Sequence, residues 1–177
     1  YYTPHYVVSR MWTLAFQYGF TSGNILEPSC GTGRFLHYVD PSNNYVDAFE
    51  FSKDNDTPYQ IAKATYPWAN IKCDYFESIF YSGNDRINVA EKYDLVIGNP
   101  PYAPFSGAYA GQSLEGGIFP GTTYDQYFIW AGIQLLKKGG VLVYIIPSSF
   151  LDKQSATSER FKDAISAQAD LKAAFRL

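Results

Sequence analysis

The sequence predicts an α/β domain, with a mostly parallel central sheet flanked by helices. Three observations carry that prediction. Short apolar runs of strand length alternate with stretches of helical spacing. A Gly-containing turn joins the first such run to the next segment, the junction that parallel α/β sheets use at their carboxyl edge. Finally, 177 residues without an internal repeat suit one domain with a sizeable core.

The elements come in a regular order. Residues 5–18 have the spacing of an opening helix that stops near Gly19. A first strand at 24–27 runs into the turn 28–33, and a helix begins over 34–39. A second strand covers 45–51, a helix lies near 56–66, and a third strand lies near 70–74. The fourth strand is the run 94–98. A helix over 124–138 is closed by Lys137-Lys138-Gly139-Gly140, cations in the last turn and Gly beyond. The fifth strand, 141–146, is stopped by Pro147, and a helix near 157–168 and a strand at 171–176 complete the chain. Between these, residues 103–123 hold five Gly and little periodicity. They read as a long loop, and its place beside a turn of chemical interest suits a lid or substrate-contacting arm.

Composition narrows the function classes. The net charge of −3 gives no basic face, so nucleic acid held by this chain needs a local patch or parts elsewhere. Aromatics reach 18%, most of them expected in the core. Cys30 and Cys73 lack metal-ligand spacing, which suits a reduced, cytoplasmic protein without a metal site. No run approaches transmembrane length, and no signal peptide is expected. The chain starts at Tyr1 and stops inside an apolar stretch, so a fragment truncated at its C-terminus is expected.

The first turn reads Glu27-Pro28-Ser29-Cys30-Gly31-Thr32-Gly33-Arg34-Phe35. Gly31 and Gly33 allow a sharp reversal and close approach of a ligand. Position 36 is Leu where a dinucleotide fingerprint wants Gly, and the P-loop Lys is missing, which argues against a pyrophosphate cradle. The Glu27 carboxylate suits a cationic or zwitterionic ligand instead. Glu50 follows the glycines by about 20 residues, where a carboxylate takes the hydroxyls of a ribose. Asp74 can accept from an adenine amino group while Tyr75 or Phe76 covers the ring. Three successive strand ends thus outline an adenosine pocket.

The second turn, Asn99-Pro100-Pro101-Tyr102, comes directly after the fourth strand. Its Asn oxygen can accept one N–H of a planar amine, and a carbonyl freed by proline geometry the other. The Tyr102 ring can stack on the face of the group that carries the amine. This is equipment for transfer to a planar nitrogen, adenine foremost.

These residues resemble the S-adenosylmethionine-dependent N6-adenine DNA methyltransferases of restriction-modification systems, in the class with cofactor motifs before the catalytic one. The resemblance spans nearly the whole chain and implies a Rossmann-like class I methyltransferase fold over residues 1–177. Residues 3–8, beginning Thr3-Pro4, look like the segment that holds the methionine end of the cofactor. Glu27, Pro28, Cys30, Gly31 and Gly33 match the cofactor loop, and Glu50, Asp74 and Tyr75 the ribose and adenine positions. Asn99, Pro100, Pro101 and Tyr102 match the catalytic motif, with Asn99 also beside the cofactor, and Pro147 to Leu151 has the family pattern. The implied partner is DNA with its target adenine flipped out. Recognition would come from a domain elsewhere in the parent chain or from a partner subunit, with no membrane involved. Enzymes that methylate a glutamine amide of protein or a guanine amino group of RNA share the Asn-Pro-Pro-Tyr turn, and a non-catalytic cofactor-binding module is a further alternative.

Overall fold

The computed structural model describes residues 2–51, 54–83, 85–102, 113–114 and 117–176. Its sheet is built from β1 (Gly23–Glu27), β2 (Asn44–Phe49), β3 (Asn70–Lys72), β4 (Tyr93–Gly98) and β5 (Leu136–Tyr144). All five are parallel, in the order β3-β2-β1-β4-β5. Ile25 of β1 lies opposite both Val46 and Leu95. The order reverses between β1 and β4, and the crevice outside the carboxyl ends of those strands is where open α/β sheets bind ligands. The Gly31–Gly33 turn and the Asn99–Tyr102 turn both lie there.

Side chains alternate across the sheet and feed two cores. Ile25, Leu95 and Ile97 pack with α1 (His5–Gln17) and Ala62 of α2 (Thr57–Thr65). In α1, Val7, Val8, Met11, Trp12 and Ala15 form one buried stripe, and Gly19 at φ +112 ends the helix. On the other face, Leu26 and Val96 pack with α3 (Tyr124–Leu135) and Phe161 of α5 (Ala156–Ser166), which follows the single turn α4 (Ser149–Asp152). This second core is aromatic. Phe76, Phe128, Tyr127 and Trp130 are all within 5% exposure, and each buried Phe contributes roughly 1.5–3 kcal/mol.

Several expectations need correction. Residues 34–39 form only a 3-10 turn, Leu36–Tyr38. So short a segment cannot offset helix nucleation, and the Phe35 carbonyl accepts from Trp12 Nε1 at 3.0 Å as well as from the Tyr38 N–H at 3.4 Å. Helix α3 ends at Leu135, three residues early, and β5 begins at once. The expected cap, Lys137 to Gly140, is a bulge: Tyr93 pairs with Leu136 but Leu95 with Val141, and Gly139 turns at φ +81. Lys137 there reaches Asp94 at 2.8 Å, a partly exposed pair worth at most about 1 kcal/mol. Strands β2 and β3 stop at Phe49 and Lys72, leaving Glu50 and Asp74 one and two residues beyond them. Residues 171–176 form no strand, and Leu171 and Phe175 are exposed. Within 103–123, residues 103–112 and 115–116 lie outside the described residues, and with them most of the expected lid. Ser113–Leu114 pairs antiparallel with Gly117–Ile118, and Phe119 is buried against Tyr127 and Trp130. Among the described residues no helix is long and apolar enough to cross a membrane.

Candidate active site

The turn after β1 is held by backbone bonds. Cys30 N–H donates to the Phe49 carbonyl at 2.8 Å, and Gly31 N–H to Glu50 Oε2 at 2.7 Å. Gly31 and Gly33 have φ of +56 and +83, and a Cβ on Gly33 would fall 2.6 Å from the Tyr66 ring. Glycine is required at position 33 on both counts.

Glu27 ends β1 at 1% exposure, and neither carboxylate oxygen has a hydrogen-bond partner. Burial, then the charge of Glu50, raises its pKa well above the usual carboxylate range. The Cys30 thiol and the Tyr66 and Tyr144 hydroxyls are pushed up by burial first and by the Glu27 charge second. The Tyr144 hydroxyl is itself buried without a partner. An unpaired buried carboxylate costs several kcal/mol if charged, so the site suits a ligand that brings a cation. Tyr144 is a site residue that sequence reasoning does not find, although a Tyr inside the run Val141 to Ile146 is a visible signal.

Glu50 is half-buried, and burial raises its pKa, opposed by the Gly31 N–H bond. Pro28 is buried beside Glu27. Asp74 is exposed and accepts the N–H of Tyr75 at 2.8 Å. The Tyr75 ring stacks on Phe51, with centroids 3.7 Å apart and planes 26° from parallel. Phe51 also escapes sequence reasoning; its signal is an aromatic next to Glu50. Glu27, Glu50, Asp74 and this pair offer groups for a cation, a ribose and a flat ring.

Across the switch point, Asn99 is tied in from three sides. Its carbonyl accepts from Ser29 Oγ at 3.1 Å, joining the two turns. Its Nδ2 donates to Thr3 Oγ1 at 3.2 Å, and its Oδ1 accepts from the Tyr102 hydroxyl. That hydroxyl also lies 3.1 Å from the Ile145 carbonyl. Pro100 is buried, Pro101 exposed, and among the described residues no donor reaches the Pro100 carbonyl. Tyr102 is half-exposed, its pKa pushed up to about 12 by burial and by the carboxylate of Asp125, buried in the first turn of α3. Thr3, expected with a cofactor, thus lies against the Asn99–Tyr102 turn, while its carbonyl accepts from Arg34 Nη1 at 3.0 Å. Among the described residues no cluster of His, Cys, Asp or Glu is placed to hold a metal.

The chain is similar to several known proteins. The chain is 27% identical over its full length to the defense against restriction protein B of Escherichia phage P1, and 27% identical over 84% of its length to the modification methylase CviBIII of a Paramecium bursaria Chlorella virus. It spans only 7% and 37% of those two relatives. A protein of Methanocaldococcus jannaschii, whose name proposes N5-glutamine methylation of protein, is 33% identical over 63% of the chain and is itself covered to 58%. An S-adenosylmethionine-dependent methyltransferase structure from Clostridium acetobutylicum superposes with a TM-score of 0.51 at 15% identity, covering 84% of this chain and 52% of that one. The fold is therefore the Rossmann-like methyltransferase fold. A model of Eco57I restriction-modification methylases matches residues 35–176, and the chain belongs to that family.

Proposed function

We propose that residues 1–177 are the catalytic domain of a DNA methyltransferase of restriction-modification or phage defence. It transfers a methyl group from S-adenosylmethionine to the N6 amino group of adenine. The observation that carries this reading is the pairing, across the β1–β4 switch point, of an unpartnered buried Glu27 with the Asn99-Pro100-Pro101-Tyr102 turn.

The residues fit the cofactor. Glu27, unpaired and buried, is chemically matched to the ammonium group of the methionine end. Glu50 would take the ribose hydroxyls, Asp74 the adenine amino group, and Phe51 with Tyr75 an adenine face. Pro28, Cys30, Gly31 and Gly33 shape the turn around them. When bound, S-adenosylmethionine supplies a methyl group already activated on a sulfonium.

The chain's task is then to make a poor nucleophile attack. The N6 lone pair of adenine is delocalised into the ring. Asn99 Oδ1 and the Pro100 carbonyl would accept its two hydrogens, favour a more tetrahedral nitrogen and stabilise the charge that develops on it. Attack is in line and assisted by positioning. Tyr102 would stack on the extruded base, worth roughly 1–3 kcal/mol. As the amine takes Asn99 Oδ1, the Tyr102 hydroxyl keeps the Ile145 carbonyl as its acceptor. With a net charge of −3, the chain relies for sequence recognition on a domain elsewhere in the protein or on a partner.

A second reading is favoured by the archaeal relative: the same two acceptors would hold the planar amide of a protein glutamine. Transfer of labelled methyl by the full-length protein to unmethylated DNA, RNA and protein, with products resolved as nucleosides and amino acids, separates the two. N6-methyladenine in DNA, lost with Asn99→Ala, is the expected result. Label in glutamine would move the enzyme to the second reading.

A further inference from the structure

We propose that Thr3 is a positioning residue for methyl transfer: its hydroxyl holds the Asn99 side chain in place for the acceptor nitrogen. The inference rests on the proposed role of Asn99. An Asn amide has an acceptor end and a donor end of nearly the same shape. Only the oxygen can receive an amine hydrogen; the –NH2 end would oppose it donor to donor. The turn itself does not fix the plane of that amide, because the backbone holds the Cβ of Asn99 and not its χ2.

The restraint comes from 96 residues away in sequence. Asn99 Nδ2 donates to Thr3 Oγ1 at 3.2 Å, and Thr3 is 9% exposed. Water therefore cannot readily replace the hydroxyl. Among the described residues the oxygen end is met by the Tyr102 hydroxyl, which has the Ile145 carbonyl in reserve and yields its place to an incoming amine.

Thr3 is itself held in place. Its carbonyl accepts from Arg34 Nη1 at 3.0 Å, and Arg34 follows Gly33 in the cofactor turn. The Arg34 guanidinium lies 5.0 Å above the Tyr2 ring. Pro4 then opens α1 with its carbonyl accepting from Val7 and Val8, and the buried stripe of α1 anchors the segment. A short strap thus touches both turns, through its backbone on the cofactor side and through its hydroxyl on the catalytic side. Backbone contact on one side and side-chain contact on the other give the two a separable test.

Thr3→Val keeps the shape and removes the hydroxyl, while Thr3→Ser keeps the hydroxyl. In the full-length protein, Thr3→Val is expected to lower single-turnover methyl transfer about 10-fold, the scale of one lost hydrogen bond. Binding of S-adenosylhomocysteine should stay within about 2-fold, because the carbonyl contact to Arg34 survives. Thr3→Ser should restore the rate. A Thr3→Val enzyme of normal rate overturns the proposal, as does one whose S-adenosylhomocysteine affinity falls in step with the rate, which would make Thr3 a cofactor contact. A Thr3→Val chain that no longer folds would make Thr3 structural and equally overturn it. Normal transfer by Asn99→Ala would instead refute the proposed role of Asn99 itself.

Discussion

The two halves of the crevice differ in how their polar groups are satisfied. On the β1–β2–β3 side, Glu27 is buried with both oxygens unpaired, and two aromatic rings close on each other at the rim. On the β4–β5 side, every polar atom of the Asn99 side chain already has a partner within the chain. One half holds an unpaired buried carboxyl that a cationic ligand would answer. The other stores geometry, a prearranged set of acceptors whose present donor can be displaced. Affinity and rate should therefore respond to different substitutions.

The largest expected effect breaks the second half alone. Asn99→Ala should lower methyl transfer by about 100-fold or more, the cost of removing one preorganised group that meets developing charge. S-adenosylhomocysteine binding, read by calorimetry, should barely change. Parallel loss of both would dissolve the distinction between the halves.

Glu27→Gln addresses the first half. Losing a charged partner for an ammonium should weaken binding about 10- to 100-fold, the scale of a charge-assisted hydrogen bond. The effect should depend on pH. Burial raises the pKa of Glu27, so toward lower pH the empty site takes up a proton that ammonium binding must expel. Affinity should rise with pH and protons should be released on binding; Glu27→Gln should abolish both. Stability has the opposite sign. A carboxyl whose folded pKa is raised contributes stability below its unfolded pKa and loses it as pH rises through the folded one. The cofactor-free protein should then lose Tm toward higher pH, and Glu27→Gln should flatten that slope.

Gly33→Ala tests the frame of the same half. The φ of +83 and the approach to Tyr66 should cost about 1–3 kcal/mol in denaturant unfolding, with weaker cofactor binding and an intact rate once the site is saturated. Tyr102→Phe has the smallest expected effect. The ring that stacks remains and the hydroxyl that occupies Asn99 Oδ1 is gone, so the rate should stay within about 3-fold, whereas Tyr102→Ala should lose a stacking increment of roughly 1–3 kcal/mol. A collapse in Tyr102→Phe would give the hydroxyl a chemical role.

Legibility tracks locality. The strands 24–27 and 94–98 and the turns after them are readable because apolar alternation, Gly and Pro act within a few residues. The segments that differ from expectation are those in which distant groups compete. The Phe35 carbonyl goes to Trp12, and Lys137 goes to Asp94 across a bulge, where a local rule sees a helix end. Phe51 and Tyr144 do not stand out in sequence because an aromatic in an apolar run is usually packing.

By itself the sequence determined the α/β class, the place of both turns after strands and the chemical types at the site, since spacing and residue chemistry are local properties. Only the tertiary structure decided that β1 and β4 are neighbours, that Glu27 is left unpaired between them, and that Thr3 meets Asn99 as well as Arg34 beyond the Gly31–Gly33 turn. Those facts depend on which chain segments share a volume, and burial of that shared volume gives a lone carboxylate or a single hydroxyl its consequence.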